Sequence, residues 1–320
     1  GNSIYAGYIA TEYYPVAPLL VNLGVRYEIS KQWVDYYTDG GKAERSELNK
    51  NDLFPSLNMK YQMNEKNSLR FAFSRTVTRP SFIEMAPFLY QESYGSAQIR
   101  GNADLQNGYN YNIDLRYELF EKNGDMLSIT AYYKHLKAPI ERVQTLSGGS
   151  AVHSFRNADN GMATGVEIEF RKEIVKDLRF GVNGSYMYTN VKLPKGGAYT
   201  NSQRALQGAS PYLANADLTY SPAFSNDRQL SVALLYNLQG PRIHSVGISG
   251  LGDIKQQPVH TLNFTGSYRF NRRFAVKLQV NDLLNQDILF KQEVPTTGDK
   301  VEVERFRKGT GFEVGFSYDL

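Results

Sequence analysis

Residues 109–120, YNYNIDLRYELF, interleave two chemically opposed sets: Tyr111, Ile113, Leu115, Tyr117 and Leu119 against Asn110, Asn112, Asp114, Arg116 and Glu118. A strand sends successive side chains to opposite sides, so this stretch has one apolar and one polar face. A helix would mix both sets on every face. The same period returns over Leu19–Ile29, Leu57–Tyr61, Leu69–Phe73, Val166–Phe170, Phe180–Tyr188, Leu230–Tyr236, Leu262–Phe270, Phe274–Val280 and Phe312–Tyr318. It predicts about 13 strands, starting near residues 3, 19, 52, 67, 107, 125, 151, 177, 210, 228, 258, 273 and 309, with no helix between them.

Alternation alone leaves the apolar face two destinations. In a soluble antiparallel sheet it meets a protein core, and in an outer-membrane barrel it meets lipid while the polar face lines a wet interior. The connections separate these cases. Short ones, at 15–18, 64–67, 121–124, 173–177, 221–227 and 270–273, alternate with long ones at 37–51, 79–106, 143–150, 193–209, 239–257 and 293–308. Tight turns on one rim and long loops on the other are the arrangement of outer-membrane barrels. Most segments also supply the roughly 9 to 11 residues that a tilted strand needs to cross the apolar band. Tyr13, Tyr14, Trp33, Tyr36, Tyr37, Tyr132, Tyr133, Tyr186, Tyr188 and Tyr212 lie near strand ends, where amphipathic rings suit the headgroup level. The expected fold is therefore all-β, a transmembrane antiparallel up-and-down barrel. On this reading Arg75 and Asp282 fall on the lipid side, and both are expected at the outer interface or beyond a bulge that resets the register.

Composition agrees by exclusion. No run of about 18 apolar residues is present to cross a bilayer as a helix. Cysteine is absent, which removes disulfides and thiolate metal sites, and 36 basic against 32 acidic residues give a net charge of +4, too balanced for a nucleic-acid surface. Strand parity places the final segment, GTGFEVGFSYDL, ending on the turn side and the first strand beginning on the loop side. That parity makes residues 1–320 the expected C-terminal portion of a longer barrel.

The stretch FPSLNMKYQMNEKNSLRFAFSRTVTRPSFIEMAPF at 54–88, followed by GNADL at 101–105, LRYELF at 115–120, SITAYYKHLKAPIE, FRNADNGMATGVEIEF and VNDLLNQ, resembles the barrels of TonB-dependent outer-membrane receptors. The resemblance covers essentially the whole chain. It implies a barrel of 22 strands around a plug domain, with 13 strands here and the plug, the TonB-recruiting box and nine strands outside the chain. It implies TonB, the plug and the remaining strands as partners, in glycan and peptide importers a surface lipoprotein as well, and lipid or lipopolysaccharide around the wall in the outer membrane of a Gram-negative bacterium. No cofactor is implied. Arg26, Glu28, Lys60, Arg70, Asp114, Arg116, Glu118, Glu167, Glu169 and Arg171 would face the plug or the substrate path.

No G-x-S-x-G elbow, P-loop or H-E-x-x-H occurs, and His135, His153, His244 and His260 are scattered without metal-ligand spacing. The expectation is binding and transport, with no catalytic residue and no metal site. The longest loop carries the ligand-binding candidates Phe82, Phe88, Tyr90, Tyr94, Arg100 and Asp104, whose aromatic faces suit sugars, peptides or flat siderophores. The expected function is active import of a scarce nutrient, a siderophore or haem, a glycan or a peptide. The rivals are a passive outer-membrane porin and a soluble two-sheet carbohydrate-binding or adhesive protein.

Overall fold

The computed structural model describes residues 1–38, 40–91, 98–121, 123–147, 150–193, 200–224, 227–247 and 250–319. The chain begins with four long strands, β1 (Asn2–Val16), β2 (Leu19–Tyr37), β3 (Ala43–Gln62) and β4 (Asn67–Thr78). A four-residue helix, α1 (Phe82–Met85), and the short strands β5 (Leu89–Tyr90) and β6 (Gln98–Arg100) follow. Then come β7 (Gly108–Phe120), β8 (Met126–Lys137), the hairpin β9 (Ile140–Ser147) and β10 (Ser150–Asn157), β11 (Asn160–Val175) and β12 (Leu178–Lys192). The remainder is β13 (Gln203–Arg204), β14 (Tyr212–Tyr220), β15 (Gln229–Gln239), β16 (Arg242–Ser245), β17 (Ile254–Gln256), β18 (Val259–Arg269), β19 (Phe274–Asn281), β20 (Ile288–Glu293), β21 (Lys300–Phe306) and β22 (Gly311–Tyr318).

Thirteen of these form one antiparallel wall in the order β1-β2-β3-β4-β7-β8-β11-β12-β14-β15-β18-β19-β22, with β13 added at the end of β12. Each strand pairs with its neighbour through a short turn on one rim and a long connection on the other. Directly opposed residues share a face, so the registers fix both faces. Gln62, Ser68, Glu118, Ser128, Glu169, Asn183, Asn215 and Asn237 form one row across eight strands. On the opposite face run Leu69, Tyr117, Ile129 and Ile168. The apolar face is bare: Ile9 is 80% exposed, Leu115 47% and Phe316 72%. Nothing among the described residues covers it, which is what lipid requires and a soluble sheet forbids.

Two strand positions differ from the alternation. The third strand begins at Ala43, not near 52, because the β2–β3 ladder continues unbroken to Tyr37↔Ala43. Its upper part carries charge on the outer face, Lys31 to Glu47 at 3.0 Å and Arg45 to Asp35 at 2.5 Å, so the apolar signal stops while the backbone ladder goes on. The strand expected near 151 belongs to a hairpin instead: residues 150–157 pair with 140–147, and the wall resumes at Asn160. A further departure is α1, held by a capping box in which Ser81 and Glu84 satisfy each other's backbone N–H groups.

The long connections form two small sheets at the loop rim, β5-β6-β10-β9 and β16-β17-β20-β21. The two charges expected at the outer interface are accommodated there. Arg75 donates to the Leu53 carbonyl at 2.6 Å, lies 3.4 Å from Asp52 and sits over the Tyr109 ring at 4.5 Å, just beyond Ser56↔Ser74, the last pair of the β3–β4 ladder. Asp282 follows the last residue of β19 at φ 55°, and its Oδ1 accepts from the Asn285 N–H, capping a turn. Of the expected girdle, Tyr133, Tyr186, Tyr188 and Tyr212 lie on the lipid face. Tyr132 and Tyr36 lie on the polar one, opposite Asp114 and Glu44, because adjacent residues alternate.

Candidate ligand-binding mouth and polar wall

The ten polar-face candidates, Arg26, Glu28, Lys60, Arg70, Asp114, Arg116, Glu118, Glu167, Glu169 and Arg171, share one side of the wall by register. Most of them make ion pairs. Glu118 accepts from Arg70 at 2.7 Å, Arg116 at 2.8 Å and Ser68 at 3.0 Å. Arg116 reaches Glu169 at 3.7 Å, and Glu169 pairs with Arg171 at 2.5 Å, so one chain of alternating charge crosses from β4 to β11. Further along, Asn237 donates to Asn215 and Asn215 to Asn183, extending the polar row without charge. A hollow of about 530 Å³ on this face is lined by Lys60, Arg70, Asp114, Arg116 and Glu167 among others.

The long loop 79–107 is fastened to the polar face of the β2–β3 hairpin. Arg79 donates to Glu28 at 2.5 Å, Gln32 donates to the Pro80 carbonyl at 2.5 Å, and Ser46 donates to the Ala103 carbonyl at 2.8 Å. Met85, Ile99 and Leu105 fill its interior and are almost fully buried. The candidate aromatics are left facing outward: Phe82 is 45% exposed and Phe88 51%, with Phe88 and Tyr90 in edge contact at 5.9 Å. Arg100 sits opposite Leu89 and is exposed, as is Asp104. The structure therefore brings Phe88, Tyr90 and Arg100 to one short ladder and sets Phe82 and Asp104 apart from it; Tyr94 lies outside the described residues.

A second cluster had no signal in the sequence. Glu141 of β9 and Arg204 of β13 form an ion pair at 2.8 Å with side chains only 4% and 3% exposed. Burial pushes the Glu141 carboxyl upward, and the charge of Arg204 opposes that shift. Next to it Arg142 donates to His153 Nδ1 at 2.8 Å, and Ser245 of β16 lies 3.4 Å from the other ring nitrogen. Burial first, then the neighbouring Arg142 and His244, lower the His153 pKa from 6.5 to about 4, so the ring is neutral at ordinary pH. The cluster ties the β9–β10 hairpin to β13 and to β16, and so joins the two loop sheets. A cleft of about 280 Å³ opens beside it between Arg142, Phe155, Gln207, Arg242 and His244.

A tyrosine-edged wall with a bare apolar face, a charged opposite face and all its long loops on one rim defines an outer-membrane β-barrel protein. Residues 1–318 match the outer membrane protein beta-barrel family, and the chain belongs to that family. It is similar to the ferric enterobactin receptor of Pseudomonas aeruginosa PAO1, 21% identical over 270 residues, which are 78% of this chain and 35% of that protein. Among solved structures it resembles the ferric yersiniabactin uptake receptor FyuA from Yersinia pestis, with a TM-score of 0.69, 14% identity, and coverage of 100% of this chain and 46% of that one. It also resembles the siderophore receptor PirA from Acinetobacter baumannii, with 0.65, 15%, 99% and 46% on the same measures. The copper transporter OprC gives 0.68, 12%, 99% and 48%. The chain thus spans about a third of the curated relative and roughly half of these solved structures.

Proposed function

We propose that residues 1–320 are the C-terminal part of a 22-stranded, plug-containing importer that captures a metal-laden chelate of the siderophore type outside the cell. The first strands would complete the wall along the free edges of β1 and β22, and the plug would fill its lumen. TonB would supply the energy from the inner membrane, and no covalent chemistry is needed. Support comes from the relatives, whose names place ferric siderophores and copper on this fold.

The observation that carries the reading is the pairing of a built mouth with a charged wall. The two loop sheets are joined by buried polar contacts over one rim, the polar face beneath them carries Glu28 paired with Arg26 and Arg79, and the Arg70–Glu118–Arg116 cluster follows near the turn rim. Radiolabelled iron uptake by cells expressing the full-length gene, supplied with a panel of ferric siderophores, tests this. Uptake of at least one chelate that stops on deleting TonB is the expected result. Uptake indifferent to TonB would make the protein a pore, and failure of every chelate would move the substrate to another class.

A further inference from the structure

The polar face of the wall divides into two sectors of different chemistry. On β3, β7 and β11 it carries the carboxylates of Asp52, Asp114, Glu118, Glu167 and Glu169. From β12 through β14, β15 and β18 to β19 the lining changes to amides, hydroxyls and small apolar groups, among them Asn183, Asn215, Asn237, Thr261, Thr265 and Gln279. These five strands contain a single acidic residue, Asp217. Its carboxylate lies across Gly181, where an added Cβ would stand 2.2 Å from Oδ1, so it is folded against the wall.

Cations stand at both ends of this sector. Toward the turn rim Arg269 and Lys277 share the polar face with neutral cross-strand partners, Gln229 and Ala275 for the first, Ser267 and Gly315 for the second. The nearby Asp227 is taken by Arg272 at 2.8 Å, and among the described residues neither Arg269 nor Lys277 is in an ion pair. At the loop rim Arg242, on the connection between β15 and β18, donates to the Gln256 amide oxygen at 2.7 Å, again a neutral partner. Between the ends runs a ladder in which Asn237 donates to Asn215 at 2.5 Å and Asn215 to Asn183 at 2.7 Å. Each amide commits at most one of its two N–H groups to the ladder, so every rung keeps a donor for a passing acceptor. A hollow of about 370 Å³ lies at the seam of the sectors, with Glu167 and Glu169 on one flank and Asn183 and Asn215 on the other. An anion there is repelled by β11 and accepted by β12 and β14.

We propose that the polar face of β12, β14, β15, β18 and β19 is the transit track of an anionic chelate, with Asn183, Asn215 and Asn237 as its charge filter midway and Arg269 and Lys277 at its exit. Neutral donors bracketed by cations, with carboxylates withdrawn to the opposite sector, are the lining a negative charge needs. The inference rests on the import reading above and adds to it the sign of the cargo and the stretch of wall the cargo follows.

The test uses cells expressing the full-length gene, given radiolabelled iron as anionic tris-catecholates and as neutral tris-hydroxamates, with surface binding measured separately in energy-depleted cells. The wild type should import anionic members of the panel in preference to neutral ones. In wet surroundings two like unit charges about 8 Å apart disfavour each other by roughly a factor of two, so one added carboxylate should slow a triply charged anion roughly tenfold. Asn215→Asp should therefore lower uptake of a triply anionic tris-catecholate about tenfold at unchanged surface affinity, while the uncharged Asn215→Ser stays within about twofold of the wild type. Asn58→Asp, on β3 in the acidic sector, should leave uptake unchanged. Heat-modifiable migration on gels reports that each variant has folded. Wild-type uptake by a folded Asn215→Asp variant, or import confined to neutral chelates, overturns the track and leaves the import reading standing. Uptake of no chelate by the wild type overturns the import reading and the track with it.

Discussion

Removing one partner of the Glu141–Arg204 pair should free the β9–β10 hairpin while the wall stays intact. At 2.8 Å and with both side chains almost completely covered, the pair cannot fall back on water if one member is lost. Glu141→Gln leaves the Arg204 guanidinium charged inside the loop layer, and breaking a buried pair this way costs about 3 to 5 kcal/mol. The rest of the fold does not share that cost, because the wall is held by its own ladders. Local opening should absorb it, raising amide exchange in 140–157 and around 203–206 by about a hundredfold to a few thousandfold. Exchange in β11 and β12 below should not change. Replacing both partners with apolar residues, Glu141→Leu with Arg204→Met, removes the stranded charge and should recover most of the protection. Hydrogen exchange followed by mass spectrometry on the full-length protein in detergent resolves these segments. Unchanged exchange in Glu141→Gln, or a double variant as labile as the single one, would refute the reasoning.

The neighbouring histidine gives a pH signature. Its folded pKa of about 4 lies below the ordinary 6.5, so its contribution is complete above pH 6.5 and lost as pH falls toward 4, amounting to about 3 kcal/mol. Protection of 140–157 should decline across that window in the wild type, and the decline should shrink in His153→Gln, leaving the titration of Glu141. At Gly101, an added Cβ would stand 2.1 Å from the Ala86 carbonyl oxygen and 2.5 Å from that of Ile83, so Gly101→Ala should spring the base of the long loop. Faster proteolysis within 79–107, with barrel migration on gels unchanged, is the expected readout. On the wall, Leu115→Arg places a cation on the lipid face at a cost of about 2 to 4 kcal/mol near mid-bilayer, seen as a lower denaturant midpoint in lipid. A neutral outcome there would mean the face is wetted rather than covered by lipid.

The sequence by itself determined the wall. Side chains alternate with a period of two whatever surrounds them, so the opposition of Tyr111, Ile113 and Leu115 to Asn112, Asp114 and Arg116 could be read directly, along with the strand number and the rim on which long loops gather. It also placed the ten polar-face candidates on one face, since parity within a strand and pairing between strands are both local rules. What it could not carry was anything beyond the membrane's grip. Where the outer face of β2 and β3 turns from Ile29 and Leu53 to Lys31 and Glu47, the apolar signal ends, although the ladder runs on to Tyr37. In the loops, 140–147 and 150–157 pair with each other, and Glu141 meets Arg204 from a separate connection, contacts that exist only once the wall brings the ends of β8, β11 and β12 side by side. The interiors of these loops are packed by Met85, Ile99 and Leu105 and sealed by buried polar pairs, leaving Phe82 and Phe88 outside. That division is decided by which side chains the folded chain can cover, and no spacing in the sequence encodes it.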